Sequence, residues 1–368
     1  MYNDLIKEVD PCIRCGNCFM VCPVVDLLPP SLKALNLLPL NLSRYIDFIK
    51  LSPDLPYYCT QCGECVLYCP LSIMTPRAFL LLREFSKGQA LPSKIRDAIL
   101  NTGNIYGMPN EMRVDWVTYA GLSGKVPVGV KADVAYFLGC MTSFRARLQK
   151  VAKACAILLN KVGESWTILG PEEHCCGLPL LFAGYVDEFK EIANRNVGAL
   201  EHLGIEEVVF TCAGCYRVFK YEYERQGVKP PFKVLHVIEY ITDLMKEGKL
   251  RLRRGKSKLN ITWHDPCELS RYCGLVDEPR FILKALTDNL VEMSDSREWS
   301  KCCGGGGLLR AVHTELSSSM AKRRVEQALE VHADIIATAC PSCILTLEEG
   351  AKGIIKVKDI VELVAEAF

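Results

Sequence analysis

The chain has 368 residues, and its 44 Lys and Arg are balanced by 43 Asp and Glu. That balance excludes a global field suited to nucleic acid or an anionic membrane surface. The apolar share is 49%, yet no uninterrupted apolar run approaches the roughly 18 residues of a membrane span. The opening "MYNDLIKEVD" has no apolar signal core. These features read as a cytoplasmic protein whose membrane contact, if any, runs through a partner. Twenty cysteines are far more than an ordinary cytosolic chain carries. A disulfide scaffold suits short secreted chains, so metal ligation is the better reading.

Cys12, Cys15, Cys18 and Cys22 read C-x2-C-x2-C-x3-C and precede Pro23. Cys59, Cys62, Cys65 and Cys69 repeat the spacing before Pro70. This is the two-cluster ferredoxin run, in which the fourth cysteine of each motif reaches the other cluster. The expected sets are Cys12, Cys15, Cys18 and Cys69 on one cubane [4Fe–4S] cluster. Cys59, Cys62, Cys65 and Cys22 would hold the second. Gly16 and Gly63 suit loops that wrap a cluster closely. Zinc normally takes two separated C-x2-C pairs instead. Between the motifs, leucines at helical spacing broken by prolines predict short helices over residues 24–50. After Pro70, a helix is expected from Thr75 and Pro76 to Gly88.

Ten of the remaining twelve cysteines form two quintets. They are Cys140, Cys175, Cys176, Cys212 and Cys215, then Cys267, Cys302, Cys303, Cys340 and Cys343. Cys140 to Cys267 and Cys175 to Cys302 are both 127 residues, and Cys212 to Cys340 is 128. That is an internal duplication. "VAYFLGC" matches "ITWHDPC", "CCGLPLLFAG" matches "CCGGGGLLRA", and "VVFTCAGC" matches "IIATACPSC". Each half reads as α/β, with β-branched and aromatic runs that end at a cysteine. In the helix after Cys140, Leu148, Val151, Cys155 and Leu158 share a face, and Gly163 stops it. Alternating strands and helices predict parallel sheets with cysteines at strand C-termini, the edge where open α/β sheets bind ligands. Five thiolates exceed one per iron of a cubane, which points to a cluster of unusual connectivity. The glycines after each Cys-Cys pair let backbone and substrate come close. Gly304–Gly307 lacks the residues of a phosphate loop or dinucleotide fingerprint.

These spacings are C-x34-CC-x35-C-x2-C and C-x34-CC-x36-C-x2-C behind two ferredoxin motifs. They resemble the heterodisulfide reductase family, in the form that fuses a ferredoxin-like part and paired CCG domains in one chain. "GNIYGMPNEMRVDW" (Gly103–Trp116) and "HDPCELSR" (His264–Arg271) add to the likeness. The resemblance implies a mixed architecture. A mainly helical two-cluster ferredoxin-like domain spans 1–95 and a linker 96–131. The first α/β CCG domain spans 132–248, a basic linker 249–258 and the second CCG domain 259–368. It implies up to two noncubane [4Fe–4S] clusters in the CCG domains, held by the two quintets, which thereby become the catalytic cysteines. Two cubanes would feed them, and they would reduce a disulfide of the CoM-S-S-CoB type to two thiols. The same architecture serves as the iron–sulfur component of FAD-linked glycolate, lactate and glycerol-3-phosphate dehydrogenases, which is the alternative function. Implied partners are a membrane cytochrome b-type protein or a flavoprotein or hydrogenase donor, with a small disulfide or thiol as substrate and no nucleic acid.

Other residues carry blander readings. Cys155, on an apolar helix face, reads as a buried inert thiol. Cys273 has no counterpart in the first repeat and reads as structural. His264, Asp265 and His174 either donate hydrogen bonds to a cluster or substrate sulfur, or serve packing and a turn. "KLRLRRGKSK" (Lys249–Lys258) is either a solvated linker or a docking patch. No Ser-His-Asp pattern or nicotinamide fingerprint is present.

Overall fold

The computed structural model describes residues 7–28, 53–86, 90–252 and 258–368. The helices expected over 29–50, the stop at Gly88 and most of the basic run lie outside the described residues. In the N-terminal part, two short helices, Asn17–Val21 and Glu64–Leu67, each follow a glycine in the left-handed region, Gly16 at φ 83° and Gly63 at φ 77°. A side chain there would be strained, so the motif glycines set the turn that brings the cysteines inward. The Thr75–Phe85 helix carries Pro76 in its first turn, where a missing N–H costs nothing.

The rest of the chain is two copies of one small α/β unit. In the first, β1 (Val134–Phe137), β2 (Trp166–Thr167), β3 (Glu207–Phe210) and β4 (Lys233–His236) lie in the order β2-β1-β3-β4. In the second, β5 (Ile261–Trp263), β6 (Leu290–Val291), β7 (Ile335–Thr338) and β8 (Lys356–Asp359) lie in the order β6-β5-β7-β8. Every pairing is parallel, Val134 opposite Glu207 in one sheet and Ile261 opposite Ile335 in the other. The central strands are mostly apolar, and β1 and β7 are buried along their whole length, as in parallel sheets covered on both faces. The Gln149–Val162 helix buries Val151, Cys155 and Leu158 and ends on Gly163 at φ 80°. After β4 and β8 the chain turns into a helix through a capping box, His236 with Glu239 and Asp359 with Glu362.

Within the segment read as a linker over 96–131, Ile99, Trp116, Leu122 and Val126 are buried and belong to the apolar core that the two repeats share. The three parts interlock through polar ties. Arg147 reaches from the first repeat to Glu348, Glu362 and the Val357 carbonyl of the second. Arg217 pairs with Glu268 at 2.6 Å and lies over the Tyr272 ring. From the second repeat, Arg271 donates to the Cys62 carbonyl at 3.1 Å and Tyr272 to the Gln61 carbonyl at 2.8 Å.

Candidate functional site

In each sheet the chain goes outward from the first strand, then returns to that strand's other side. This reversal opens a crevice at the C-terminal ends of β1 and β3, and again at those of β5 and β7. The cysteines sit there. Cys140 lies in the Gly139–Phe144 helix just past β1, and Cys212 caps the Ala213–Arg217 helix, which carries Cys215, past β3. Cys267 opens the Cys267–Cys273 helix past β5, and Cys340 caps the Pro341–Ala351 helix, which carries Cys343, past β7. Cys175, Cys176, Cys302 and Cys303 arrive on loops.

The two crevices face each other. All ten quintet cysteines line one cavity of about 290 Å³ between the repeats. Their sulfurs form a continuous line of contacts. Cys140 meets Cys175, Cys175 meets Cys176, Cys176 meets Cys215, and Cys215 meets Cys212. Cys212 meets Cys340 across the repeats. The line runs on through Cys343, Cys303 and Cys302 to Cys267, with Cys303 and Cys343 Sγ 3.4 Å apart. Cys212 and Cys340 are the same residue of the repeat, so their contact marks a local two-fold relation between the halves.

The ferredoxin cysteines gather into two hollows. Cys12, Cys15, Cys18 and Cys69 line one of about 30 Å³, and Cys22, Cys59, Cys62 and Cys65 line one of about 60 Å³. The second lies against the second repeat, where Cys62 meets Cys302 and both join a small apolar cluster with Leu309 and Met320. The glycine run makes this seam possible. A Cβ on Gly306 would lie 2.9 Å from the Thr60 carbonyl oxygen, and one on Gly307 2.5 Å from the Cys59 oxygen. The close approach read for these glycines is made by the ferredoxin loop.

All twenty cysteines are free thiols. Burial pushes Cys59 up to about 11, and the contact with Cys212 pushes Cys340 up to about 12. Cys176, held by Cys175 and Cys215, is drawn down to about 6. So many crowded, buried sulfurs cannot ionise together without a positive centre among them. The donors are cysteine sulfurs grouped around hollows, a set that fits iron–sulfur clusters.

Around the sulfurs lies a layer of buried arginines that the sequence reading missed. Arg113 and Glu173, both fully buried, pair at 2.8 Å, and Arg113 Nη2 lies 4.0 Å from Cys140 Sγ. Glu173 also accepts from the Leu138 and Gly139 amides, fixing the turn before Cys140. Burial raises its pKa even so. Behind the second quintet, Asp265 accepts from Trp263, Arg280 and the Arg297 amide, so it is a structural hub. His264, buried and pushed down to about 3 by desolvation, lies within 4.8 Å of the Cys303 and Cys343 sulfurs. His174 bonds the Glu172 carbonyl through Nδ1 and packs against Gly103. Cys155 is fully buried away from the cavity. Cys273 is half-buried beside Glu268 and Arg217 and does not line it. Tyr106, Arg145 and Arg310 do line it, and Arg145 donates to the Tyr106 hydroxyl at 3.2 Å.

The cysteine-rich (CCG) domain family matches residues 134–220 and 261–348, and the 4Fe–4S dicluster domain family matches 8–73. The chain is 34% identical, over 99% of its length and 95% of the relative's, to a chain of the dihydromethanophenazine:CoB–CoM heterodisulfide reductase of Methanosarcina barkeri. It is 28% identical, over 100% of its length and 74% of the relative's, to a chain of the fumarate reductase (CoM/CoB) of Methanothermobacter marburgensis. It is 29% identical, over 72% of its length and 39% of the relative's, to an EtfAB:quinone oxidoreductase of Syntrophomonas wolfei. Among the described residues no helix is long and apolar enough to cross a membrane. With two facing thiol quintets behind a dicluster ferredoxin part, the chain belongs to the heterodisulfide reductase family of CCG-domain proteins and is an iron–sulfur electron-transfer component of an oxidoreductase complex.

Proposed function

We propose that the cavity between the repeats reduces a small disulfide of the CoM-S-S-CoB type to two thiols. The observation that carries this is that both quintets line the same cavity. The two sulfurs of a disulfide lying in it would each face one quintet. The reaction breaks one S–S bond and consumes two electrons and two protons. A partner, either a cytochrome b-type protein or a flavoprotein or hydrogenase donor, supplies the electrons, and solvent supplies the protons.

Cys12, Cys15, Cys18 and Cys69 would hold one cubane, and Cys22, Cys59, Cys62 and Cys65 the other. Each quintet would hold one noncubane [4Fe–4S] cluster, since five thiols exceed one per iron. Bound there, the clusters supply one-electron carriers and iron with an affinity for sulfur. The chain's own part is geometric. It sets Cys62 against Cys302 at the ferredoxin seam and Cys212 against Cys340 at the repeat seam. This makes the second repeat the near half and the first repeat the far half. The apolar wall of Ile105, Leu178, Phe182 and Leu308 limits water around the reacting sulfurs.

The test is EPR on anaerobically purified, oxidised protein with and without coenzyme M. A paramagnetic signal that appears only with the thiol is expected, and a Cys302→Ala/Cys303→Ala variant should lose disulfide reductase activity. Full activity in that variant would overturn the reading. A second reading, electron relay for a flavoprotein dehydrogenase, is favoured by the likeness to the EtfAB:quinone oxidoreductase. It takes the lead if the spectrum stays silent in protein with its full iron content.

A further inference from the structure

Arg83 lies on the Thr75–Phe85 helix and is fully buried. Its guanidinium joins three segments by donating to carbonyl oxygens. Nε and Nη2 reach Pro56 at 3.2 and 3.0 Å, Nη2 reaches Cys59 at 2.6 Å, and Nη1 reaches Phe182 at 2.9 Å. The Tyr57 ring lies 4.7 Å from it. Among the described residues the ionisable groups that face it are Cys59 and Tyr57, and neither is a carboxylate. Other buried arginines differ: Arg113 has Glu173 at 2.8 Å, and Arg217 has Glu268 at 2.6 Å.

A buried cation without a counter-ion costs several kcal/mol, and carbonyl dipoles offset only part of that. The segment that Arg83 grips carries Cys59, one of the four thiols around the hollow at the second-repeat seam. A thiolate-bound iron–sulfur cluster is anionic and gains negative charge on reduction. A fixed cation in low dielectric favours the more negative state.

We propose that Arg83 is the built-in counter-charge of the Cys22, Cys59, Cys62 and Cys65 site and that it raises the reduction potential there. Its placement draws electrons toward the seam where Cys62 meets Cys302. The same side chain fastens the ferredoxin loop to the first repeat through Phe182, so charge and docking reside in one residue. The proposal rests on those four cysteines holding a cluster, and iron content reports on that separately.

The experiment is an EPR-monitored redox titration of the anaerobic holoprotein, comparing the parent with Arg83→Gln and Arg83→Lys. Both variants lose the fork, but only Gln loses the charge. Arg83→Gln should lower the equilibrium constant for reducing one cubane tenfold or more, about 59 mV for one electron, and leave the other in place. Arg83→Lys should stay near the parent. Unchanged potentials in Arg83→Gln, or an equal fall in both variants, would overturn the proposal. If Arg83→Gln loses iron, Arg83→Met takes its place as the neutral variant: a fall beside a parental Arg83→Lys supports the charge, and an unmoved potential sinks it. A parent with only one cubane's worth of ferredoxin iron would refute the ligand assignment instead.

Discussion

Arg324 Nε donates to His264 Nδ1 at 3.1 Å, with both side chains buried. A guanidinium has no acceptor, so the neutral imidazole keeps its proton on Nε2. That N–H is the ring's remaining donor, and the ring sits within 4.8 Å of Cys303 and Cys343. The matching position of the first repeat is Phe137, which donates nothing. A paired His264→Phe/Arg324→Met substitution avoids an orphaned guanidinium. It should lower the potential of the second-repeat centre by roughly 59 mV, since a hydrogen bond to a charged acceptor is worth about 1.5 kcal/mol or more. Redox titration checks this; an unmoved potential would reduce His264 to a packed histidine.

The Arg113–Glu173 pair should behave as a buried ion pair beside a thiol. Glu173→Ala leaves the guanidinium buried and two amides unbonded, and should cost about 3–5 kcal/mol. Replacing both partners by Met and Leu should cost distinctly less. Urea unfolding measures both. Iron analysis should show the single variant losing first-repeat iron before ferredoxin iron, because Cys140 follows the turn that Glu173 fixes.

Gly307→Ala tests the ferredoxin seam. The new Cβ would lie 2.5 Å from Cys59 O and Thr60 C at φ +60°. The cost should be roughly 2–4 kcal/mol from strain and overlap together. Gly227→Ala, at φ +82° with nothing within 4 Å, is the control and should cost about 1 kcal/mol. In the first variant, electron delivery to the second repeat should slow while the iron–sulfur signals of the ferredoxin part persist. Equal behaviour of the two variants would show that the seam tolerates separation.

The cysteine groupings were legible because the run of threes and the 127-residue offset carry geometry in their spacing. Strand ends were legible for a similar reason, since apolar runs such as "VAYF" and "IIAT" stop two or three residues before a cysteine. The arginine layer was not. Arg113 finds Glu173 60 residues away, and Arg271 finds Cys62 209 residues away, so nothing local separates these arginines from solvated ones. The glycine run showed that something comes close, but not that the ferredoxin backbone does so. Residues 96–131 read as a linker on the likeness of the Gly103–Trp116 stretch to the family, and that likeness says nothing of packing: Trp116 is fully buried in the apolar core.

His236 supplies a pH prediction remote from the sulfurs. It caps the Val237–Lys246 helix through Nδ1, and burial pushes its pKa down to about 3. The unfolded chain takes up a proton below about 6.5, whereas the folded chain resists until about 3. Its contribution is therefore complete above the higher value and is lost as pH falls through that window. His236→Asn keeps a capping acceptor without the titration. Between pH 6.5 and 5.0 it should remove roughly 2 kcal/mol of the parent's stability loss in urea unfolding. Parallel pH profiles would show that the histidine does not titrate differently on unfolding.

The contact of Cys212 with its own counterpart Cys340 bears on ancestry. A residue meets itself across an interface only where the two partners are related by a two-fold axis, as in a symmetric dimer of identical subunits. The fused pair of repeats thus keeps the outline of a homodimer whose shared site lay on the axis. While the halves were identical copies of one gene, any change on one wall fell on the other as well. Joining them in one chain lifted that restriction, which is how a histidine can face the sulfurs on one side and a phenylalanine occupy the same place on the other.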